Sequence, residues 1–413
     1  VSASSITTIA GFLVLCAMQL TLGANLGIVM GKGVLIGLIS VITIFPSLLL
    51  VFDKLIDKTK HNSIIPDFSK LNTFIIKNHI AIFIIFLILL VPSYLAYNHV
   101  DVYYKMDESL PKYLESIKAN QELKDKFNIV SPEIIILNKD TKEETITNMV
   151  HDLKEVEGID LILSESSLEE SGISTDMLPS DLSSIFSTDK YQLLLLNSTY
   201  DIATDELNDQ ITTVNNIIKS YDKTAILAGE GPLMKDLITT SDTDFVNVNS
   251  LSLICILIIM LIALKSISLP ILLIGSIEFA IFMNMGISYF EGVTLPFIAP
   301  IVLGTIQLGA TIDYAILLTT NYLSHKKDSK DKYEAMQKAM NYSASSILVS
   351  GLCFFAATIG VGLYSKIDLV GSLCTLISRG ALISMFVVIF ILPSILLIFD
   401  KLIEKTTFKK ENV

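Results

Sequence analysis

The feature that most constrains this chain is a series of apolar runs, each long enough to cross a lipid bilayer. A hydrocarbon core of about 30 Å takes about 20 mostly apolar residues in helical form. Such runs fall near 4–22, 28–52, 74–97, 246–264, 269–290, 297–323, 342–363 and 371–399, which predicts eight spans. In lipid every backbone N–H and C=O must find a partner inside its own segment, so the runs are expected as helices. With 51% hydrophobic and only 17% charged residues, the 413-residue chain is neither disordered nor an ordinary soluble enzyme. The expected fold class is a polytopic α-helical membrane protein.

Lysine placement orients the spans. Lys54, Lys58, Lys60 and Lys70 lie between the second and third runs, Lys326, Lys327, Lys330, Lys332 and Lys338 between the sixth and seventh, and Lys401, Lys405, Lys409 and Lys410 after the eighth. Placing these segments inside puts the alternate loops outside, with Glu291, Asp368 and the whole of residues 98–245, and leaves Lys265 in a short inner hairpin. The expected location is the cytoplasmic (inner) membrane, with 98–245 outside the cytoplasm. That segment holds 29 Asp and Glu against 12 Lys, leaving 13 acids and 18 bases elsewhere. No basic field exists to hold nucleic acid. Cys16, Cys255, Cys353 and Cys374 all fall in apolar runs and are expected as small buried hydrophobes.

The two ends of the chain repeat each other. Ser2-Ala3-Ser4-Ser5 recurs as Ser343-Ala344-Ser345-Ser346, and FPSLLLVFDKLIDK from Phe45 recurs as LPSILLIFDKLIEK from Leu392, with ten of 14 positions identical. Shared Pro, Asp and Lys make duplication a better account than generic hydrophobicity, and such repeats build many secondary transporters. The expected division is 1–60, the last two helices of a first repeat; 61–73, a cytoplasmic linker; 74–97, the first helix of a second repeat; 98–245, the outside domain; 246–400, five further helices; and 401–413, a cytoplasmic tail. The chain opens at Val1 on an apolar run without a basic leader, unlike a signal peptide. Most of a first half is expected to precede it.

Within 98–245 the pattern turns to that of a water-soluble α+β unit. Strands are expected at 134–137, 159–163, 193–196 and 224–227, and helices at 110–127, 142–156 and 202–221. Leu207, Ile211, Val214, Ile218 and Tyr221 mark one buried face of the last helix. Two β-α-β units side by side predict a ferredoxin-like sandwich. The Ser- and acid-rich stretch 165–189 reads as a solvated connector. His99 and His151 are isolated, and no nucleophile–base or metal-ligand constellation is seen, so neither catalytic nor metal-binding residues are expected.

Chemistry concentrates in Gly309-Ala310-Thr311-Ile312-Asp313-Tyr314, in the middle of the sixth run. A carboxylate at the bilayer centre costs on the order of 2.5–3.5 kcal/mol, and such residues usually face the bundle interior and serve ion or proton movement. Gly309 lies four residues before Asp313 on the same helical face, where it lets a neighbouring helix approach. Tyr314 is turned toward a second helix. The competing reading is an Asp that only locks helix packing.

A central G-x-x-x-D-Y span resembles the resistance-nodulation-division superfamily, and within it the MMPL-type lipid exporters. The Ser-Ala-Ser-Ser helices, the large domain after the first helix of a repeat, and Met106-Asp107-Glu108-Ser109-Leu110-Pro111 at that domain's entry carry the same resemblance. It implies a twelve-span exporter driven by proton influx, with two porter domains and no cofactor beyond the proton gradient. Asp313 and Tyr314 would then lie on the tenth span and face an equivalent pair on the fourth, and Ser5 and Ser346 would relay or solvate the proton. The expected partners are membrane lipids, an amphipathic substrate and the rest of the first half, with a homo-oligomer left open. One departure is that Asn321 and Ser324 stand where the family usually has Arg and Glu, with Lys326 and Lys327 just beyond as anchors at the lipid headgroups.

Four further polar features lie in or beside these spans. Glu278, with Asn284 six residues on, is either a second protonatable site or a packed, hydrogen-bonded acid. Gln307 is expected to join helices. Arg379, the only arginine, is expected to snorkel outward or to pair with Asp368. Segment 326–341, with Glu334 and Lys338 one turn apart, is expected to rest Tyr333, Met336 and Met340 on the membrane surface. The function expected from all this is secondary export of lipids or other amphipathic molecules, not an enzyme. The alternatives are a non-pumping lipid sensor or receptor of the same fold, and an auxiliary of protein secretion.

Overall fold

The computed structural model describes residues 2–59, 68–105, 110–164 and 186–408. The linker residues 60–67, the entry residues 106–109, most of the connector (165–185) and the end of the tail (409–413) lie outside the described residues. The chain divides into two compact units, one of 1–102 with 241–413 and the other Tyr103–Thr240.

The first unit is helical: α1 (Ser2–Val14), α2 (Thr21–Lys58), α3 (Ser69–Lys77) and α4 (His79–Tyr97) come before the second unit in sequence. Among the described residues seven helices are long and apolar enough to cross a membrane, not eight. The exception is the first predicted span. Helix α1 passes into a 3₁₀ turn at Leu15–Ala17, Met18 is extended (φ −64°, ψ 143°), and the chain restarts as α2, leaving only a short apolar helix. Asp244 explains the break, since its carboxylate accepts the freed Gln19 and Leu20 N–H groups at 2.9 and 3.2 Å.

The second unit holds β1 (Ser131–Asn138), β2 (Ile159–Leu163), β3 (Tyr191–Ser198) and β4 (Ile226–Gly229), with α5 (Glu115–Phe127), α6 (Glu143–Lys154) and α7 (Asp205–Tyr221). The sheet order is β2-β3-β1-β4, and every neighbouring pair is antiparallel. Its core joins Ile135, Leu137, Leu194 and Leu196 of the sheet to Met149 and Leu153 of α6 and Val214 and Ile218 of α7. The periodicity of α7 places Leu207, Ile211, Val214 and Ile218 inward, as its sequence predicts. Thr204 caps this helix, accepting the Leu207 N–H at 3.3 Å.

Helix α8 (Glu230–Leu264) has residues in both units and is followed by α9 (Ser268–Glu291), α10 (Ile298–His325), α11 (Lys332–Tyr364) and α12 (Asp368–Phe386). A π turn at Val387–Ile391 then leads to α13 (Leu392–Ile398) and α14 (Asp400–Thr406). Pro393 sits at the start of α13, where its missing N–H costs nothing. Burial ranks these helices: 78% of the most apolar stretch of α10 is buried, against none of that of α2, whose buried residues are Gly23, Gly27 and Gly31 near its start. The core around α10 gathers Leu308, Ile312, Leu318 and Tyr322 with Leu273 and Ile277 of α9.

Several expectations change here. Segment 332–341 is the first part of α11 rather than a surface helix. Met336 and Met340 are buried in the core, because α3 covers this face through Asn72–Asn341 (2.8 Å) and Gln337–Ser69 (3.3 Å). The Glu334–Lys338 pair forms at 2.9 Å. The cysteines are not buried: Cys16 and Cys353 are exposed and Cys255 and Cys374 half-buried, on helix faces left apolar for lipid or another helix.

Candidate functional site

Helix α10 carries the G-x-x-x-D-Y run, and α1 lies against it. A Cβ placed on Gly11 would stand 3.3 Å from the Gly309 Cα, so the two backbones touch directly. Thr8 Oγ1 donates to the Gly309 carbonyl at 2.9 Å. Moving back along α1 from Gly11 to Thr8 moves forward along α10 from Thr305 to Gly309, so the helices are antiparallel. Continued by one turn, this register brings Ser5 level with Asp313. The role expected of Gly309, to admit a neighbouring helix beside the acid, is the geometry found.

Asp313 is half-buried, while Tyr314 is nearly fully buried on the adjoining face. The Tyr314 hydroxyl faces Ser350 of α11. Seven residues along the same seam, Asn321 Nδ2 donates to Ser343 Oγ at 2.8 Å. Ser346 lies between these contacts and is exposed. Ser350 lies one turn beyond the repeated Ser343-Ala344-Ser345-Ser346 motif, so the repeat carries no signal for it.

Glu278 belongs to another cluster. It is half-buried on α9 within electrostatic range of Tyr97 of α4, which also faces Asn249 of α8.

Two polar centres hold the central helices together. In the first, Arg379 of α12 pairs with Glu291 at 3.0 Å rather than with Asp368, and it does not snorkel away. Its Nε donates to Asn284 Oδ1 at 2.8 Å, and its other terminal nitrogen donates to the Asn284 carbonyl (2.8 Å) and Ser288 Oγ (2.6 Å). Asn284 Nδ2 donates to Gln307 Oε1 at 3.0 Å, and Gln307 Nε2 to Ser384 Oγ at 3.0 Å, which makes Gln307 the helix–helix bridge that was expected. Gly380 is obligatory in this network: a Cβ there would fall 2.5 Å from Gln307 Oε1.

The second centre lies at the lysine-rich end of α10. Lys326 is ion-paired with the buried Asp400 and, at 2.8 Å, with Glu404, and the Tyr322 hydroxyl donates to Asp400 at 2.7 Å. Lys326 is thus held by protein carboxylates instead of lipid headgroups. Lys332 Nζ closes the same end by donating to the Leu397 carbonyl at 2.9 Å.

The MMPL family model matches residues 109–410. No curated protein matches the chain by sequence. Among solved structures, the crystal structure of SecDF in its super-membrane-facing form aligns at TM-score 0.55 and 12% identity, covering 98% of this chain and 48% of that one. SecDF from Thermus thermophilus, described as a translocon-associated membrane protein, aligns at TM-score 0.54 and 12% identity, over 97% and 48%. The chain therefore spans about half the length of these structures, and the likeness is one of fold. The family match runs from before α5 to the end of α14 and so takes in the acid-bearing helix and both polar centres: this multi-pass membrane protein belongs to the MMPL family, of the resistance-nodulation-division type.

Proposed function

We propose that the chain is part of a secondary exporter of lipids or other amphipathic molecules, driven by proton influx across the cytoplasmic membrane. The second unit, read as a ferredoxin-like porter domain, lies on the outer side. What carries this reading is the half-buried Asp313, one helical turn beyond the backbone contact of Gly11 with Gly309.

In this mechanism Asp313 takes a proton from the outer side and releases it inward. Ser5, level with Asp313 on α1, offers a hydroxyl to pass or solvate the proton. Tyr314, buried on the adjoining face beside Ser350, fixes the rotation of α10 so that the acid keeps its face. A protonated Asp313 has no charge to solvate and α1 can close on it, whereas an ionised one draws water and polar groups in. Because the Gly11–Gly309 contact has no side chain to absorb movement, the change passes to the helix backbones. Each inward proton yields about 2.3 kcal/mol per 100 mV of membrane potential. Glu278 is the second acid available, either for a further proton or along the substrate path.

The test uses the full-length protein in proteoliposomes carrying a pH-sensitive dye, with a potential imposed. Asp313→Asn should abolish inward proton flux while expression and melting temperature stay at wild-type values. Undiminished flux in that variant would end the proposal.

A second reading is favoured by one observation, the fold likeness to the translocon-associated SecDF. In that case the proton step serves protein secretion, and Asp313→Asn slows release of secreted proteins while lipid export is unchanged.

A further inference from the structure

Asp400, Glu291 and Asp244 are engaged within the protein. The first holds Lys326, the second holds Arg379, and the third accepts the N–H groups of Gln19 and Leu20. Glu278 differs. It is half-buried midway along α9, yet it makes no hydrogen bond or ion pair among the described residues. A carboxylate inside a span is costly unless a cation or a polar group meets it.

The groups gathered at this corner are aromatic. Phe282 lies one turn along α9 from Glu278, on the same face. Its ring centroid is 5.3 Å from that of Tyr94 and 5.0 Å from that of Tyr97, both on α4, and Tyr97 stands 6.5 Å from Phe245 of α8. Tyr97 is within electrostatic range of Glu278 and also faces Asn249 of α8. The corner is open at its edge. Tyr94 is 50% exposed, and Tyr97, Phe245, Asn249 and Phe282 are half-buried. The helices that bear these rings also expose apolar side chains, Val91 and Leu95 on α4 and Val246 and Ile254 on α8.

We propose that Glu278 and this ring cluster form a recognition site for the ammonium head of an amine-bearing amphiphile, whose tail lies on the exposed apolar faces of α4 and α8. The inference rests on reading the chain as part of an exporter of amphipathic molecules, and it names the class that this acid selects. The carboxylate supplies the counter-charge, and the rings offer their negative faces to a cation stripped of water. Tyr97 and Asn249 offer oxygens to the ammonium N–H groups. Other occupants match the corner less well. A hard divalent metal takes a shell of oxygen ligands, and no group of three His, Cys, Asp or Glu side chains stands together among the described residues. An uncharged lipid leaves the carboxylate unanswered. A proton alone answers the carboxylate and makes no use of the rings.

The test uses the full-length protein in phosphatidylglycerol vesicles, with no potential imposed, and a dodecylamine probe carrying a diazirine in its chain near the amine. Irradiation should label α4, α8 or α9 beside the ring cluster, and unlabelled dodecylamine should chase the label while dodecanol does not. Glu278→Gln should lower the labelling about tenfold at an unchanged melting temperature, and Glu278→Asp should keep most of it. Phe282→Leu, which keeps an apolar side chain and removes the ring, should lower it about threefold. Labelling that persists in Glu278→Gln, or that dodecanol chases as well as dodecylamine does, overturns the proposal. Because no gradient is applied, Asp313→Asn should label as the wild type does. Proton flux lost in Asp313→Asn beside labelling that ignores Glu278 sinks the amine site and keeps the exporter. Flux that survives Asp313→Asn beside labelling that needs Glu278 does the reverse.

Discussion

Gly11 of α1 and Gly309 of α10 meet backbone to backbone, with a Cβ on Gly11 only 3.3 Å from the Gly309 Cα. Leucine at position 11 would force the helices apart and remove the Thr8–Gly309 hydrogen bond. Gly11→Leu should cost about 1–3 kcal/mol in detergent melts, as overpacking does elsewhere. It should also abolish proton flux. Gly11→Ala, which needs a shift of only a few tenths of an ångström, should retain most of both.

Arg379 uses its planar fork on three residues of α9 at once. Lysine keeps the charge but cannot reproduce that geometry. Arg379→Lys should therefore lower stability by about 1–3 kcal/mol, read as a drop in melting temperature. Glu291→Gln, at the more exposed end of the network, should cost less than 1 kcal/mol.

The buried Asp400 anchors Lys326 and Tyr322. Removing one partner of a buried pair strands the other, at a cost of about 3–5 kcal/mol. Asp400→Asn should show a loss near the lower figure, because Glu404 still reaches Lys326. Tyr322→Phe should cost about 1 kcal/mol. Hydrogen exchange at the end of α10 is the local readout for both.

Glu133 lies in β1, almost fully buried, and neither carboxyl oxygen has a hydrogen-bond partner among the described residues. Burial pushes its carboxyl up to about 7 from an ordinary 4.5. The neutral form is the one the fold prefers. Its contribution is complete below about pH 4.5 and is lost as pH rises through 7, an effect of about 3 kcal/mol. Protection of the β1 amides, corrected for the intrinsic rise of amide exchange with pH, should therefore be lower at pH 8 than at pH 5.5. Glu133→Gln should flatten that dependence, and an equally steep profile in the variant would exclude Glu133 as its source.

Apolar periodicity located seven of the eight expected spans because a helix in lipid satisfies its own backbone, so the information is local. The first span misled because the break after Val14 depends on Asp244, 225 residues from Gln19 in the sequence, which no local window contains. Strand and helix positions in the second unit were legible for the same local reason, from short apolar runs in β1 and β3 and 3.6-residue spacing in α7. The partner of Arg379 was not. Asp368 looked suitable but lies eleven residues away on the same helix, about 16 Å along the axis. Glu291, on the last turn of α9, comes within 3.0 Å only through tertiary packing.

The amino-acid sequence by itself determined the membrane character, the duplication and the placing of an acid inside a span, since each follows from residue type and spacing along one chain. Which surfaces meet was decided only in three dimensions. The same Phe-Asp-Lys-Leu-Ile segment ends one long exposed helix at Asp53 and follows a π turn and a helix break at Asp400. Identical local preferences gave way there to the packing of α10, whose half-buried Lys326 holds the buried Asp400 in an ion pair, while Asp53 on α2 stays exposed.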